Sequence, residues 1–156
     1  MKIFAFLWLL GTIGSIACVC PNGWLRHESS CYHFSHDTED WPGAVVMCEK
    51  MGGNLLEIDG PLEGQYITSQ VKLFNKAYWI GLSDVMEEGT WMWMGSNNPL
   101  EPGSYSNWLP GQPSNSQNNE NCADVWPTTG QWNDGQCHVP HNYICEKFDG
   151  QTEIIG

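Results

Sequence analysis

The most informative part of the sequence reads Gln112-Pro113-Ser114, then Glu120-Asn121-Cys122, then Trp132-Asn133-Asp134, with Cys137 just beyond. Its side chains supply carboxylate, amide and hydroxyl oxygens, and calcium prefers such ligands, taking about six to eight of them. A loop tied by a disulfide holds such ligands in place without a large core beneath it. These residues therefore predict a calcium site on a stapled loop. The competing interpretation is an ordinary surface loop, since Asn, Ser, Gly and Pro are common turn residues.

The N-terminal residues predict secretion. Lys2 precedes an unbroken apolar run from Ile3 to Leu10, which continues through Gly11 to Ile16, and small residues stand at Ser15 and Ala17. This is the pattern of a secretory signal peptide over residues 1–17. A membrane anchor is the alternative, but the run is shorter than the roughly 20 apolar residues that a spanning helix needs. We therefore expect a secreted, extracellular protein with no membrane span, in which the remaining residues form one domain.

Cysteine usage fits the same compartment. The chain has seven cysteines, at positions 18, 20, 31, 48, 122, 137 and 145. In an oxidising environment six of them can form three bridges, but the sequence alone does not choose among the pairings. Cys18 lies beside the expected cleavage point. Three outcomes stay open for it: removal with the signal peptide, a free thiol, or a bond to another chain that makes a homo-oligomer.

The net charge of −12 narrows the class of partner. Nucleic acid is not expected as a partner, because phosphate binding requires clustered Lys and Arg, which this chain lacks. A cation or a mineral surface suits the charge better, although acidity also serves simply to keep a secreted protein soluble. The five histidines show no zinc-ligand spacing, and no nucleophile stands in a pattern with a base. The chain is therefore not expected to be an enzyme.

Hydrophobic spacing predicts two helices and several short strands. The helices are expected from Asp40 to Met51 and from Leu62 to Phe74. Strands are expected in a hairpin within residues 20–34, and over residues 55–58, 79–82, 90–94, 122–126 and 143–148. The segment between residues 95 and 121 is too long for an idle connection, so it is expected to be functional. A disordered linker is disfavoured because Tyr105, Trp108 and Leu109 give this segment something to bury.

Several motifs in a fixed order resemble a C-type lectin-like domain. They are Trp79-Ile80-Gly81-Leu82, Glu88-Gly89-Thr90-Trp91-Met92-Trp93, and the Gln-Pro-Ser, Glu-Asn-Cys and Trp-Asn-Asp motifs quoted above. The resemblance covers about Cys20 to Lys147. It points to the long form of the domain, similar to small secreted single-domain invertebrate lectins of the perlucin-like type. It implies a domain over residues 20–148, followed by a tail at 149–156.

The resemblance also implies the fold and the disulfide pairing. The fold class is α+β, with two helices, two small antiparallel sheets and a long loop region that carries the ligand site. The implied bridges are Cys20–Cys31, Cys48–Cys145 and Cys122–Cys137. This pairing places one disulfide in the N-terminal hairpin, one between a helix and the last strand, and one across the loop. Each of these three predicted features needs one disulfide, so the pairing agrees with the local patterns.

In sugar-binding relatives, five side chains hold calcium and the sugar together. The matching calcium ligands here are Gln112, Ser114, Glu120, Asn133 and Asp134. The same side chains, Gln112, Ser114, Glu120 and Asn133, are expected to contact the sugar. The peptide bond before Pro113 is a candidate for the cis isomer. An auxiliary calcium site of some relatives would use Asp84, Glu88, Asn115, Glu120 and Asn121; the competing interpretation is a solvated acidic loop.

The Gln-Pro-Ser motif departs from the family pattern. Relatives mostly carry Glu-Pro-Asn, which resembles mannose-type selectivity, or Gln-Pro-Asp, which resembles galactose-type selectivity. Because Ser114 brings no carboxylate, weaker calcium binding is expected than in those relatives. The amide of Gln112 and the hydroxyl of Ser114 both donate and accept, so the expected selectivity is galactose-like or relaxed. Trp126, with Trp108 as second choice, would stack on the sugar; the alternative for both rings is packing in the protein.

The sequence thus predicts a secreted, non-enzymatic, calcium-dependent lectin whose partners are glycans with galactose-type or mannose-type sugars. The alternative is a structural or biomineral-matrix protein with a lectin fold that has lost sugar binding. The acidic balance and the missing carboxylate at Ser114 favour that alternative. Roles in innate immunity, in a protective coat or in mineral assembly are not distinguished by the sequence.

Overall fold

A computed structural model describes residues 20–148. The expected signal peptide, Cys18 and the C-terminal tail lie outside the described residues. The elements are β1 (Leu25–His27), β2 (Ser30–Phe34), α1 (Trp41–Lys50), β3 (Asn54–Leu55), α2 (Pro61–Phe74), β4 (Tyr78–Ser83), β5 (Met92–Trp93), a short 3-10 turn (Ser116–Asn118), β6 (Cys122–Val125), β7 (Trp132–Gly135) and β8 (Asn142–Phe148). Over the described range, no helix has the length and apolar character needed to cross a membrane.

Both helices form where their spacing predicts them, and each has a local signal at its boundary. The Asp40 carboxylate caps α1 by accepting a hydrogen bond of 2.8 Å from the Gly43 amide. Helix α2 begins at Pro61, where the absent amide proton costs nothing. It ends at Phe74, and the C-cap residue Asn75, with a left-handed φ of 54°, stops the helix while its amide still donates to the Val71 carbonyl.

The strands form two antiparallel groups that meet along one parallel contact. The first group contains β1, β2, β3 and β8, and the second contains β4, β5, β6 and β7. They join where β4 runs parallel to β8, with Tyr78 opposite Asn142 and Trp79 opposite Tyr143. Along the main path the order is β1-β2-β8-β4-β6-β7, so β7 lies at one edge. The predicted α+β fold, with two helices and two small antiparallel sheets, is confirmed.

Several strand boundaries differ from the prediction. The strand expected over residues 55–58 is only β3, because the next residue, Leu56, bonds to two different strands: its amide donates to the Ile144 carbonyl of β8 at 2.9 Å, and its carbonyl accepts from the Gly81 amide of β4 at 2.7 Å. A Cβ atom at Gly81 would lie 2.6 Å from the Leu55 carbonyl oxygen, so this close approach requires glycine. The strand expected over residues 90–94 is limited to β5, and β6 ends one residue before Trp126. Strand β7 was not predicted, because Asn, Asp and Gly are typical of turns.

Three disulfides tie these elements together. They are Cys20–Cys31, Cys48–Cys145 and Cys122–Cys137, the pairing that the resemblance implies. Cys48 faces inward from α1 and is fully buried, and its bridge holds that helix to β8. The Cys122–Cys137 bridge closes the β6-β7 hairpin across 15 residues.

A chain of aromatic rings fixes the long segment between β5 and β6 to the core. Trp108 lies edge-on to Trp91 at 4.9 Å and to Trp132 at 5.6 Å, and Tyr105 contacts Trp132 at 5.8 Å between ring centroids. The backbone adds two bonds, from the Leu109 amide to the Trp132 carbonyl and from the Trp132 amide to the Asn107 carbonyl. The apolar residues of the segment are therefore used for packing, as expected.

The two ends of the described chain meet at the opposite edge of the sheet. Strand β2 pairs with β8 so that Ser30 lies opposite Phe148 and Cys31 lies opposite Lys147. Because Cys31 is also bridged to Cys20, the first and last described residues come together at this edge.

Candidate functional site

The loop that carries Gln112, Ser114 and Glu120 lies against β7. The Gln112–Pro113 peptide bond is cis, as the resemblance implies. The Gln112 amide donates to the Asn133 side-chain oxygen at 2.6 Å, which attaches the start of the loop to β7. Further along, the Ser114 hydroxyl at 3.1 Å and the Ser116 amide at 2.7 Å both donate to one oxygen of Glu120. The loop therefore folds around the Glu120 carboxylate.

Strand β7 supplies the other two side chains. Asn133 and Asp134 are consecutive, so their side chains point to opposite faces of this edge strand. Asp134 is fully buried, and one of its oxygens accepts a bond of 2.6 Å from the Asn115 amide. The loop therefore contacts β7 through Gln112 at Asn133 and through Asn115 at Asp134, and the five predicted calcium ligands, which we call the loop cluster, lie along this contact.

Two side-chain oxygens in this cluster are buried without a hydrogen-bond partner. They are Oε1 of Gln112 and Oδ1 of Asp134. Because an unsatisfied buried polar atom is costly, such oxygens call for a cation or a water molecule. The donor set consists of carboxylate, amide and hydroxyl oxygens, which suits calcium rather than zinc. The residues present therefore fit a calcium ion. Within residues 20–148, no group of three or more His, Cys, Asp and Glu side chains is placed to hold a metal, so the amides are essential to this set.

Asp124 is a neighbour of the cluster that the sequence analysis missed. It lies opposite Asn133 in the β6-β7 ladder, is almost fully buried, and accepts a bond of 3.2 Å from the Asn133 amide. Burial raises the pKa of the Asp124 carboxyl to about 7; the bond from Asn133 opposes this shift, and the charges of Asp134 and Glu120 add to it. The side-chain NH2 group of Asn133 donates both to Asp124 and to the Asp134 carbonyl. These two bonds hold the Asn133 side chain with its oxygen toward Gln112. The sequence did contain a signal for Asp124, because it is the one carboxylate within the otherwise apolar four-residue strand β6.

The predicted auxiliary ligands are only partly brought together. Asp84 and Asn121 are joined by a backbone bond of 3.2 Å, and each has a buried side-chain oxygen without a partner. Burial raises the pKa of the Asp84 carboxyl, and the charge of Asp134 adds to the shift, although a bond from the Gly89 amide opposes it. Asn115 lies between the two sets, because its side-chain oxygen accepts from the Glu120 amide at 3.3 Å. Glu88 is exposed and makes no hydrogen bond within the described part of the chain.

The two candidate aromatic residues have different environments. Trp108 is committed to the ring contacts that fix the long segment. Trp126 is 45% exposed at the turn after β6, where its backbone bonds to Gln131 and Gly130. It follows β6 directly, two residues after Asp124 in the chain. Of the two rings, that of Trp126 is the more exposed, whereas that of Trp108 is partly buried.

Comparison with known proteins gives consistent matches. The family described as Lectin C-type domain matches residues 37–147. A perlucin-like protein from Mytilus galloprovincialis is 37% identical over 131 residues, which cover 81% of each chain. C-type lectin domain family 4 member M from Symphalangus syndactylus is 33% identical over 85% of this chain, which spans only 30% of that longer protein. A solved carbohydrate-recognition domain of cow CD23, in the presence of a GlcNAc2Man3 oligosaccharide, is 34% identical, with a TM-score of 0.73 and coverage of 83% of this chain and 96% of that one.

Proposed function

The chain belongs to the C-type lectin domain family, and on that basis we propose that it is a calcium-dependent lectin that binds glycans without catalysing a reaction. The observation that carries the proposal is the pair of buried, unpartnered oxygens of Gln112 and Asp134 within an oxygen-rich cluster. The cow relative, solved in the presence of an oligosaccharide, supports a carbohydrate ligand.

The calcium ligands would be Gln112, Ser114, Glu120, Asn133 and Asp134. When bound, calcium would draw hydroxyl oxygens of a sugar into its coordination shell. The side chains of this chain would orient those hydroxyls: the carboxylate of Glu120 and the side-chain oxygen of Asn133 accept hydrogen bonds, and the amide of Gln112 donates one. The Asn133 amide group is already used, because it donates to Asp124 and to the Asp134 carbonyl. Asp134 is fully buried, so we assign it to the metal and not to the sugar.

The proposed selectivity is galactose-like or relaxed. Ser114 is exposed, and its hydroxyl donates to Glu120 at 3.1 Å. Because a hydroxyl is neutral, Ser114 brings no charge to the cluster. A hydroxyl that both donates and accepts does not favour one orientation of a sugar hydroxyl pair. Trp126, the exposed ring on this hairpin, would supply an apolar surface for the sugar. For the auxiliary site we propose Asp84, Asn115, Glu120 and Asn121 as ligands, with Glu88 joining them only after a movement of its loop.

We also propose that the protein is secreted after removal of residues 1–17. Three disulfides support this compartment, since they persist in oxidising environments. If Cys18 stays in the mature chain, it would be able to join two copies.

Calorimetric titration of calcium into the disulfide-intact protein tests the proposal, with and without galactose or mannose. Because each ligand strengthens the other at a shared site, calcium should bind more tightly in the presence of the preferred sugar. The variant Asp134→Asn keeps the size of the side chain but loses its charge, so it should lose both effects. Failure of calcium to bind at millimolar concentration would contradict the proposal.

The second candidate is a structural or biomineral-matrix protein that has lost sugar binding. The absence of a carboxylate at Ser114 and the net charge of −12 favour it. The same titration separates the two functions, because this candidate predicts that neither sugar changes calcium affinity.

A further inference from the structure

A polar groove lies beside the loop cluster, between α2 and the β6-β7 turn. It is open to solvent, has a volume of about 580 Å³, and its lining includes Gln65, Lys72, Tyr105, Asn107 and Gln131. This volume falls within the roughly 300–1,000 Å³ typical of small-ligand sites. The chain as a whole carries a charge of −12, yet the groove has no carboxylate in its lining and only one charged group, Lys72. It is therefore unsuited to a metal ion and also to a polyanion.

Three separate segments hold the groove in shape by meeting at one carbonyl. The Gly130 carbonyl oxygen accepts from the Thr68 hydroxyl at 2.9 Å and from the Asn107 amide at 3.0 Å. Gly130 has a φ of +70°, and a Cβ atom there would lie 2.4 Å from a side-chain carbon of Thr68. Only glycine allows both the positive φ and this close approach to Thr68. Because the two hydrogen bonds hold the turn against α2, the groove is preformed.

These bonds leave several polar groups available to a ligand. The side chains of Gln65 and Lys72 and the Tyr105 hydroxyl make no hydrogen bond to any residue in the described part of the chain, and the side-chain oxygens of Asn107 and Gln131 are also unused. Amides offer donors and acceptors together, and an aromatic ring offers an apolar surface. Neutral sugars present the complementary combination of hydroxyl groups and apolar C–H faces.

The groove and the cluster that we assign to calcium and sugar are linked by one segment, because Gln131 lines the groove and directly precedes β7, which carries Asn133 and Asp134. Gln131 and Asn133 are two residues apart on one extended segment, which separates them by about 7 Å. Both lie on the same face, since side chains alternate along a strand. We propose that the groove is a second saccharide subsite, which binds an uncharged sugar residue further along the glycan held at the loop. This inference rests on the proposed function, because its ligand is a glycan.

The test compares binding of galactose and mannose with binding of oligosaccharides of three to five residues that end in each sugar. The parent chain should bind the oligosaccharides more tightly than the single sugars. The double variant Gln65→Ala/Gln131→Ala should lose about tenfold in oligosaccharide affinity, since two neutral hydrogen bonds disappear. Its affinity for calcium and for single sugars should not change. Gln70→Ala is the matched control, because it removes the same side chain from α2 outside the groove.

The outcomes separate the groove from the loop. Equal oligosaccharide affinity of the parent and the double variant would contradict the proposed subsite in the groove. This holds even if Asp134→Asn abolishes binding and so supports the proposed calcium site in the loop. Oligosaccharide binding that survives chelation but is weakened in the double variant would support the groove and contradict calcium dependence. A parent chain that binds no glycan would overturn both. Gln65→Ala alone, on the exposed face of α2, repeats the test if the double variant melts at a lower temperature.

Discussion

The substitution Ser114→Asp should change stability in opposite directions in the absence and the presence of calcium. The Ser114 hydroxyl donates to Glu120 at 3.1 Å, so an aspartate would place a second carboxylate beside that of Glu120. Ser114 is exposed, and two unit charges about 4 Å apart in a water-like dielectric repel by about 1 kcal/mol. In chelator, the melting temperature should therefore fall by roughly 3–5 °C.

With calcium the sign reverses, because the new carboxylate faces a double positive charge. The same estimate gives about 2 kcal/mol of attraction, or about thirtyfold tighter calcium binding. Thermal melting at low ionic strength measures both effects, and calorimetry measures the calcium affinity directly. Ser114→Asn is the matched control, since it has a similar size and no charge. A melting temperature for Ser114→Asp that equals that of the control in chelator and in calcium would refute the reasoning.

Three further substitutions test the fold that supports the site. Burial raises the pKa of the Glu146 carboxyl from 4.5 to about 7, and the charges of Glu63 and Asp59 add to this shift. Because the folded state holds the proton more tightly than the unfolded state, the free energy of unfolding should decline as pH rises from 4.5 to 7. In Glu146→Gln, denaturant titrations across this pH range should show a shallower decline. Gly81→Ala should destabilise the protein by several kcal/mol, since the added methyl would lie 2.6 Å from a carbonyl oxygen, whereas Gly60→Ala meets no atom within 4 Å and should be near neutral in the same titration. Replacing both Cys122 and Cys137 by Ala opens a 15-residue loop, which should lower stability by about 3 kcal/mol and weaken calcium binding by calorimetry; unchanged values for either property would contradict the role given to this bridge.

The elements with strong local signals were predictable from the sequence. Both helices carry apolar residues at helical spacing, and the acidic start of α1 at Asp40 is the residue that caps it. The motif order was specific enough to suggest the family and, through it, the disulfide pairing. The five oxygen-bearing side chains then followed residue by residue as a prediction, and in the structure they lie along the contact between the loop and β7.

What could not be predicted depends on contacts between distant segments. Strand β7 has the composition of a turn, and it is extended only because β6 pairs with it. Asp124 would be taken for a solvent-facing residue, but its strand partner Asn133 and the surrounding core keep it buried. The groove beside α2 depends on Thr68 and Asn107 meeting at Gly130, and the residues concerned are separated by dozens of positions in the chain.

The pairing of β2 with β8 also determines how the domain can be displayed. Both ends of the described chain meet at the edge formed by Cys20, Cys31 and Phe148, whereas the loop cluster lies beside β7, the edge strand at the far side. Four strand spacings separate β2 from β7, or roughly 20 Å. Anything attached at either end, whether a tether, a surface or a second copy, therefore leaves the loop unobstructed. Copies gathered at that edge would all face the same glycan-covered surface, so weak single contacts would combine into strong multivalent attachment.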